Sequence, residues 1–171
     1  MKELSIELRD MARKAGLCDK WFGEWDDDSN NEVLFDKYKR GIDFSIDKDW
    51  ISNDFIKSHW DKETLQSYNI FVDDKGIKTE NEKGIIIING DSDIEMEYGN
   101  FDTADIYIRH TSNVKINALG FSRIMVNMYD DAIVEINCSE MAKVYVYKHS
   151  KKCNIKSVGE NECLIRDSSK Q

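Results

Sequence analysis

Histidine is the side chain best suited to acid–base and metal chemistry near neutral pH, and this sequence carries three, His59, His110 and His149. His110 and His149 follow apolar runs in matching settings, Arg109-His110-Thr111 and Lys148-His149-Ser150. If those runs are strands stacked about 4.8 Å apart, a separation of two coils leaves the imidazoles about 10 Å from each other. That is too far to share a metal ion. A surface or structural role is expected for both, and a packing role for His59 beside Trp60 on a helix. Carboxylates are more plentiful: Asp91, Asp93, Glu95 and Glu97 fall on one predicted strand and Asp130-Asp131 in a turn. Two carboxyl groups facing each other across a groove could hydrolyse a glycosidic bond, but these stand where a solvated sheet face is expected. The run Asp26-Asp27-Asp28 lacks the glycine and distal glutamate of a calcium loop. The four cysteines, Cys18, Cys138, Cys153 and Cys163, form no Cys-x-x-Cys pair and have no histidine at zinc-ligand spacing, so they are read as reduced thiols. No catalytic residue, metal site or cofactor is predicted.

What would position these groups is a repeat. Between Ser92 and Val146 the pattern small-x-apolar-x-apolar occurs six times, at Ser92/Ile94/Met96, Ala104/Ile106/Ile108, Ser112/Val114/Ile116, Ser122/Ile124/Val126, Ala132/Val134/Ile136 and Ala142/Val144/Val146. Strict alternation makes each unit a short strand with one buried face. The units begin 12, 8, 10, 10 and 10 residues apart, and a short period sustained with β-branched residues marks a solenoid. An antiparallel meander competes, but meanders favour two-residue Asn-Gly or Asp-Gly turns, and only Asn89-Gly90 fits. Two units per coil of about 20 residues stack Ser92 on Ser112 and Ala132, and Ala104 on Ser122 and Ala142. Three units per coil would turn Lys151 inward, so two are preferred.

In that geometry one outward face stacks Tyr107, Met125 and Tyr145, flanked by Asp105, Arg123 and Lys143 and by Arg109, Asn127 and Tyr147. An apolar column in a polar frame has the make-up of a protein interface. Tyr107, Arg123, Met125, Lys143, Tyr145 and Tyr147 are therefore the candidate partner-binding residues, with packing against the protein's own helices as the competing use of this face. The opposite face, with Glu95, Lys115 and Glu135 in line, reads as solvated sheet.

Ahead of the repeat the sequence is helical. Residues 3–15 set Leu4, Leu8, Met11, Ala12 and Ala15 on one stripe, and Gly16 is placed to end that helix. Ser29-x-x-Glu32 reads as a capping box opening a helix with Leu34, Tyr38, Ile42 and Ile46 inward. Ser52 and Asp61 can cap two more. Ile70-Phe71-Val72 is extended, a polar stretch follows, and Ile85–Ile88 reads as the first, doubly covered strand of the β region. The expected fold class is α+β: a helical domain over 1–72, a junction at 73–83, and a parallel β-solenoid (β-helix) over 84–168. Its repeat decays at Lys151-x-Cys153-x-Ile155 and Asn161-x-Cys163-x-Ile165, as a capping coil would.

The stretches Gly16-Leu17-Cys18-Asp19-Lys20-Trp21, Tyr38-Lys39-Arg40-Gly41-Ile42-Asp43-Phe44-Ser45-Ile46, Ser52-Asn53-Asp54-Phe55-Ile56-Lys57 and Val144-Tyr145-Val146-Tyr147-Lys148-His149-Ser150 resemble a group of uncharacterised proteins from gut Bacteroidales and their phages. The resemblance covers most of the chain. It implies a two-part protein, helices then repeats, frequently carried on phages or mobile elements, and it implies no activity.

A net charge of −9 argues against binding a nucleic-acid backbone by neutralising its phosphates. The chain has no apolar run of about 18 residues, and its N-terminus reads as an amphipathic helix and not a signal peptide, so a cytoplasmic location away from membranes is expected. The function expected is a non-enzymatic interaction or assembly module with a protein partner or a second copy. An acidic inhibitor that mimics DNA is the alternative, because residues 84–142 carry ten acidic against three basic side chains; residues 143–171 reverse this with seven basic against three acidic. A carbohydrate-active β-helix enzyme is the third reading.

Overall fold

A computed structural model describes residues 2–78, 83–158 and 163–168. Each alternating unit forms a strand, and the pairing registers show how the strands stack. Strands β1 (Ile70–Val72), β3 (Gly84–Asn89), β5 (Thr103–Ile108), β7 (Arg123–Met128), β9 (Lys143–Lys148) and β11 (Cys163–Asp167) follow one another in a parallel sheet, here sheet A. Sheet B runs β2 (Lys75–Lys78), β4 (Asp93–Tyr98), β6 (Asn113–Ala118), β8 (Ile133–Cys138) and β10 (Asn154–Val158). Successive strands alternate between the sheets, so each coil gives one strand to each. The chain is α+β, helices followed by a parallel β-solenoid with two strands per coil, and partners such as Arg123 and Lys143 lie one 20-residue coil apart.

The interior follows from that register. Side chains at alternate positions form straight columns along the solenoid, including Ile94–Val114–Val134, Met96–Ile116–Ile136 and Ile106–Val126–Val146, all essentially inaccessible. The column Tyr98–Ala118–Cys138 places a large ring over two small side chains. Two inward columns close on a lysine: Lys78 is level with Met96 at the first coil, and Lys148 is level with Met128 near the last. Lysine serves there because its stem can pack along a column while its ammonium leaves it; that of Lys78 meets the Asp74 carboxylate at 3.3 Å.

One register differs from the sequence-based stacking. Ala104 pairs with Ile124, and Asp105, not Tyr107, pairs with Met125. Ala104 is therefore an inward strand residue, and Asp102 stands level with Ser122 and Ala142 at the corner. The intervals of 12 and 8 residues around Ala104 resolve into two tens once an aspartate is allowed in the small-residue place. Asp102 tolerates it because its carboxylate accepts from the Gly99 N–H at 3.0 Å and meets the Lys83 ammonium at 2.8 Å. These hydrogen bonds hold its carboxyl below the usual range.

The turns share one device. Gly90, Asn100, His110, Gly120, Asp130 and Glu140, ten residues apart, all have φ between 52° and 78°. This left-handed conformation costs a residue with a Cβ about 1–2 kcal/mol, and hydrogen bonds between coils offset it. His110 Nδ1 accepts from the Gly90 N–H, Asp130 Oδ2 from the His110 N–H, and Glu140 Oε2 from the Gly120 N–H, at 2.8–3.1 Å. Gly120 cannot be exchanged for such a residue, since a Cβ there would lie 2.8 Å from the Asn100 nitrogen.

The compact units are Met1–Asp61 and Lys62–Gln171. The division thus falls upstream of the 73–83 junction read from sequence. α6 (Lys62–Ser67) and β1 belong to the β unit, and β2 lies inside the supposed junction. The Ile85–Ile88 run lies in the third strand, and not the first. Ile70 and Ile87 are on the outer face of sheet A yet are 1% and 0% exposed, and α6 packs against β1. Asp74 ties these pieces together: although nearly inaccessible, it receives Lys62 at 2.5 Å, Gln66 at 2.6 Å and Lys78 at 3.3 Å. Burial opposes its charge, but these three donors outweigh burial and hold its carboxyl below the ordinary range.

In the first unit, α1 (Lys2–Lys14) buries Ser5, Leu8 and Ala12. α2 (Asp19–Gly23) follows, and α5 (Asn53–His59) is capped by Ser52 as expected. The capping box is displaced by one position: Asn30 accepts from the Val33 N–H, while Ser29 is buried and donates to the Asp26 carbonyl. The helix it opens is two, α3 (Asn31–Arg40) and α4 (Ile42–Asp47), divided at Gly41.

Candidate functional site

Alternation on sheet A puts one residue in two on the outside, so register decides which side chains share a line. The observed outward lines are Thr103–Arg123–Lys143, Asp105–Met125–Tyr145–Leu164 and Tyr107–Asn127–Tyr147–Arg166. Of the six residues picked from sequence, Met125 and Tyr145 are in one line and Arg123 and Lys143 in the adjoining one. Tyr107 and Tyr147 share the third. The expected Tyr107–Met125–Tyr145 column is corrected by the shift in β5: Asp105 takes the place assigned to Tyr107. Arg109, expected on the rim of this face, lies past the end of β5 and is 6% exposed.

Met125 is 42% and Leu164 52% exposed, and Arg123 is exposed with no carboxylate against its guanidinium among the described residues. Tyr107 donates to Asp105 at 3.5 Å, and Asn127 donates to the other Asp105 oxygen at 2.9 Å. The Arg166 guanidinium lies 6.0 Å from the Tyr147 ring centre. A shallow groove runs across this face between Ile85, Asp105, Met125 and Tyr145.

Sheet B carries a different surface. Lys115 reaches Glu95 at 3.0 Å, Asn117 donates to the same carboxylate at 2.8 Å, Asn113 donates to Asp93 at 2.9 Å, and Asn137 donates to Asn117 at 2.9 Å. These bonds hold the Glu95 carboxyl below its ordinary range and push Lys115 up. A general acid needs the opposite, a carboxyl kept protonated near neutral pH. Cys153 and Cys163 are pushed up by burial, which disfavours their thiolates. Among the described residues no group of three or more His, Cys, Asp or Glu side chains could hold a metal ion.

No protein-family model, curated protein or solved structure matches the chain. The fold is shared by many activities, so function has to be read from surfaces.

One more surface was missed in the sequence. The residue after each left-handed turn position points to solvent, and on one edge of the solenoid these are Phe101, Phe121 and Met141, exposed by 79%, 55% and 61%. They adjoin Thr103, Arg123 and Lys143 and form one groove with them. Their signal was recurrence every 20 residues, but it lay in segments read as connections. In the helical unit a cavity of about 310 Å³ is walled by Trp21, Trp25, Phe44 and Trp50. Its cations are engaged: Lys37 donates to the Glu24 carbonyl and lies over Trp25, and Arg40 lies over Trp21.

Proposed function

We propose that the chain is a non-enzymatic protein-interaction module, acting in the cytoplasm, that meets its partner with the outer face of sheet A. The observation that carries this is the exposure of Met125, Leu164 and Arg123 beside Tyr145 and Tyr147 on one parallel sheet. Aromatic residues, methionine and arginine are the types enriched at interfaces. Sheet B, whose Asp93 and Glu95 carboxylates are matched by lysine and asparagine from the next coil, is the control surface.

The test is capture from native-host extract on three immobilised proteins: wild type, Met125→Ala with Tyr145→Ala, and Glu135→Ala on sheet B. Proteins kept by wild type and by Glu135→Ala but lost by the double variant, at matched melting temperature, are the expected result. Equal capture by all three, or none by any, would sink the assignment.

A further inference from the structure

We propose that the partner docks along the Phe101–Phe121–Met141 edge, and that what it lays there is an extended acidic segment with apolar side chains at alternate positions. The proposal rests on sheet A being a contact surface and adds the partner's chemistry.

The turn geometry does not call for these residues. On the other edge the same position, one past the left-handed residue, holds Asp91, Thr111 and Asp131, all exposed. The backbone bonding matches: Thr111 and Asp131 N–H donate to the carbonyls of Gly90 and His110 at 3.2 and 3.1 Å, as Met141 does to Gly120 at 3.0 Å. Equal turns with polar residues on one edge and large apolar ones on the other mark the apolar edge as a surface kept for something that covers it.

Charge identifies the occupant. The Phe101 and Phe121 rings are parallel within 10° at 5.3 Å between centres. Parallel rings at this separation form an offset stack. Beside it run Arg123, exposed and lacking a carboxylate partner among the described residues, and Lys143. Farther along the sheet A face stands Arg166, and Asp105 is the acidic residue among its described outward positions. Cations gathered on one face of a protein of net charge −9 select an anionic partner. Three side chains spaced at about 4.8 Å form a line about 10 Å long, matched by an extended segment of about 3–4 residues. Alternation in such a segment would send apolar side chains to the phenylalanines and a carboxylate to Arg123.

The test uses a fluorescein-labelled octapeptide of alternating glutamate and leucine, with the lysine–leucine peptide as counterpart, read by anisotropy with light scattering for mass. The wild type is expected to bind the glutamate peptide at least tenfold more tightly than the lysine one, more weakly as salt rises. Phe121→Ser and Arg123→Glu should each weaken it at least fivefold, while Thr111→Ser on the other edge and the melting temperatures stay unchanged. Weakening by Met125→Ala with Tyr145→Ala but not by Phe121→Ser would overturn this proposal and leave the sheet A reading standing. No effect of any variant, or no preference between peptides, overturns the proposal, and the first of these counts against the sheet A reading too. A concentration-dependent dimer abolished by Phe121→Ser would make the occupant a second copy and also overturn it.

Discussion

Ser122 sits in a corner column between Asp102 and Ala142, and its Oγ is buried without a hydrogen-bond partner among the described residues. Its counterparts on the other edge do better: Ser92 donates to the Asn89 carbonyl at 2.7 Å and Ser112 to that of Gly90 at 3.1 Å. An orphaned buried hydroxyl costs about 1–3 kcal/mol. Ser122→Ala is therefore expected to stabilise the protein by about 1 kcal/mol in urea unfolding. Ala142→Leu, one coil along the same column and 1% exposed, should destabilise it by about 1–3 kcal/mol through overpacking. Equal, small effects at both positions would show that the corner is not a tight inward site. The small residues were legible in the sequence at Ser92, Ser112, Ser122, Ala132 and Ala142. Asp102 was not, because a carboxylate fits a closed corner only with Gly99 and Lys83 to receive it, and neither contact is written in the alternation.

At the scale of elements, period-two patterning was enough to locate strands β4 to β9, where burial alternates residue by residue. It failed for β2, Lys75-Gly76-Ile77-Lys78, which is exposed along most of its length. What fixes β2 is pairing with β4 and the Asp74 latch to α6, both tertiary. The latch has a pH signature. The Asp74 carboxyl is depressed from 3.8 in the folded protein, so its stabilisation is present in full above about that pH and is lost as pH falls further, through the folded value. Asp74→Asn should lower stability at neutral pH by about 1–3 kcal/mol and make the acid limb of the stability curve shallower. Urea titrations at pH 7 and between pH 4 and 2 check both, and an unchanged acid limb would mean that the latch does not govern the first coil.

For the whole molecule, the two-strand coil was legible because the three-strand alternative would turn Lys151 inward, and all six candidates fall on outward lines of sheet A, with Tyr107 one line away from the column expected for it. The Phe101–Phe121–Met141 edge was hidden because turns carry no alternation by which to tell in from out. The coil register also makes the length of the protein quantised. Excising residues 113–132 removes one strand from each sheet and joins Ser112 to Ile133, so every later strand keeps its sheet and every later turn its edge. Excising residues 113–122 leaves the inward alternation intact but transfers all following strands to the other sheet, moving Met141 to the polar edge. The longer cut is therefore expected to do less harm: a cooperative urea transition with a reduced m-value, against a broad or lost transition for the shorter one. Duplication of 113–132 should behave likewise and lengthen the solenoid by about 4.8 Å, making this region a ruler whose only permitted graduations are whole coils.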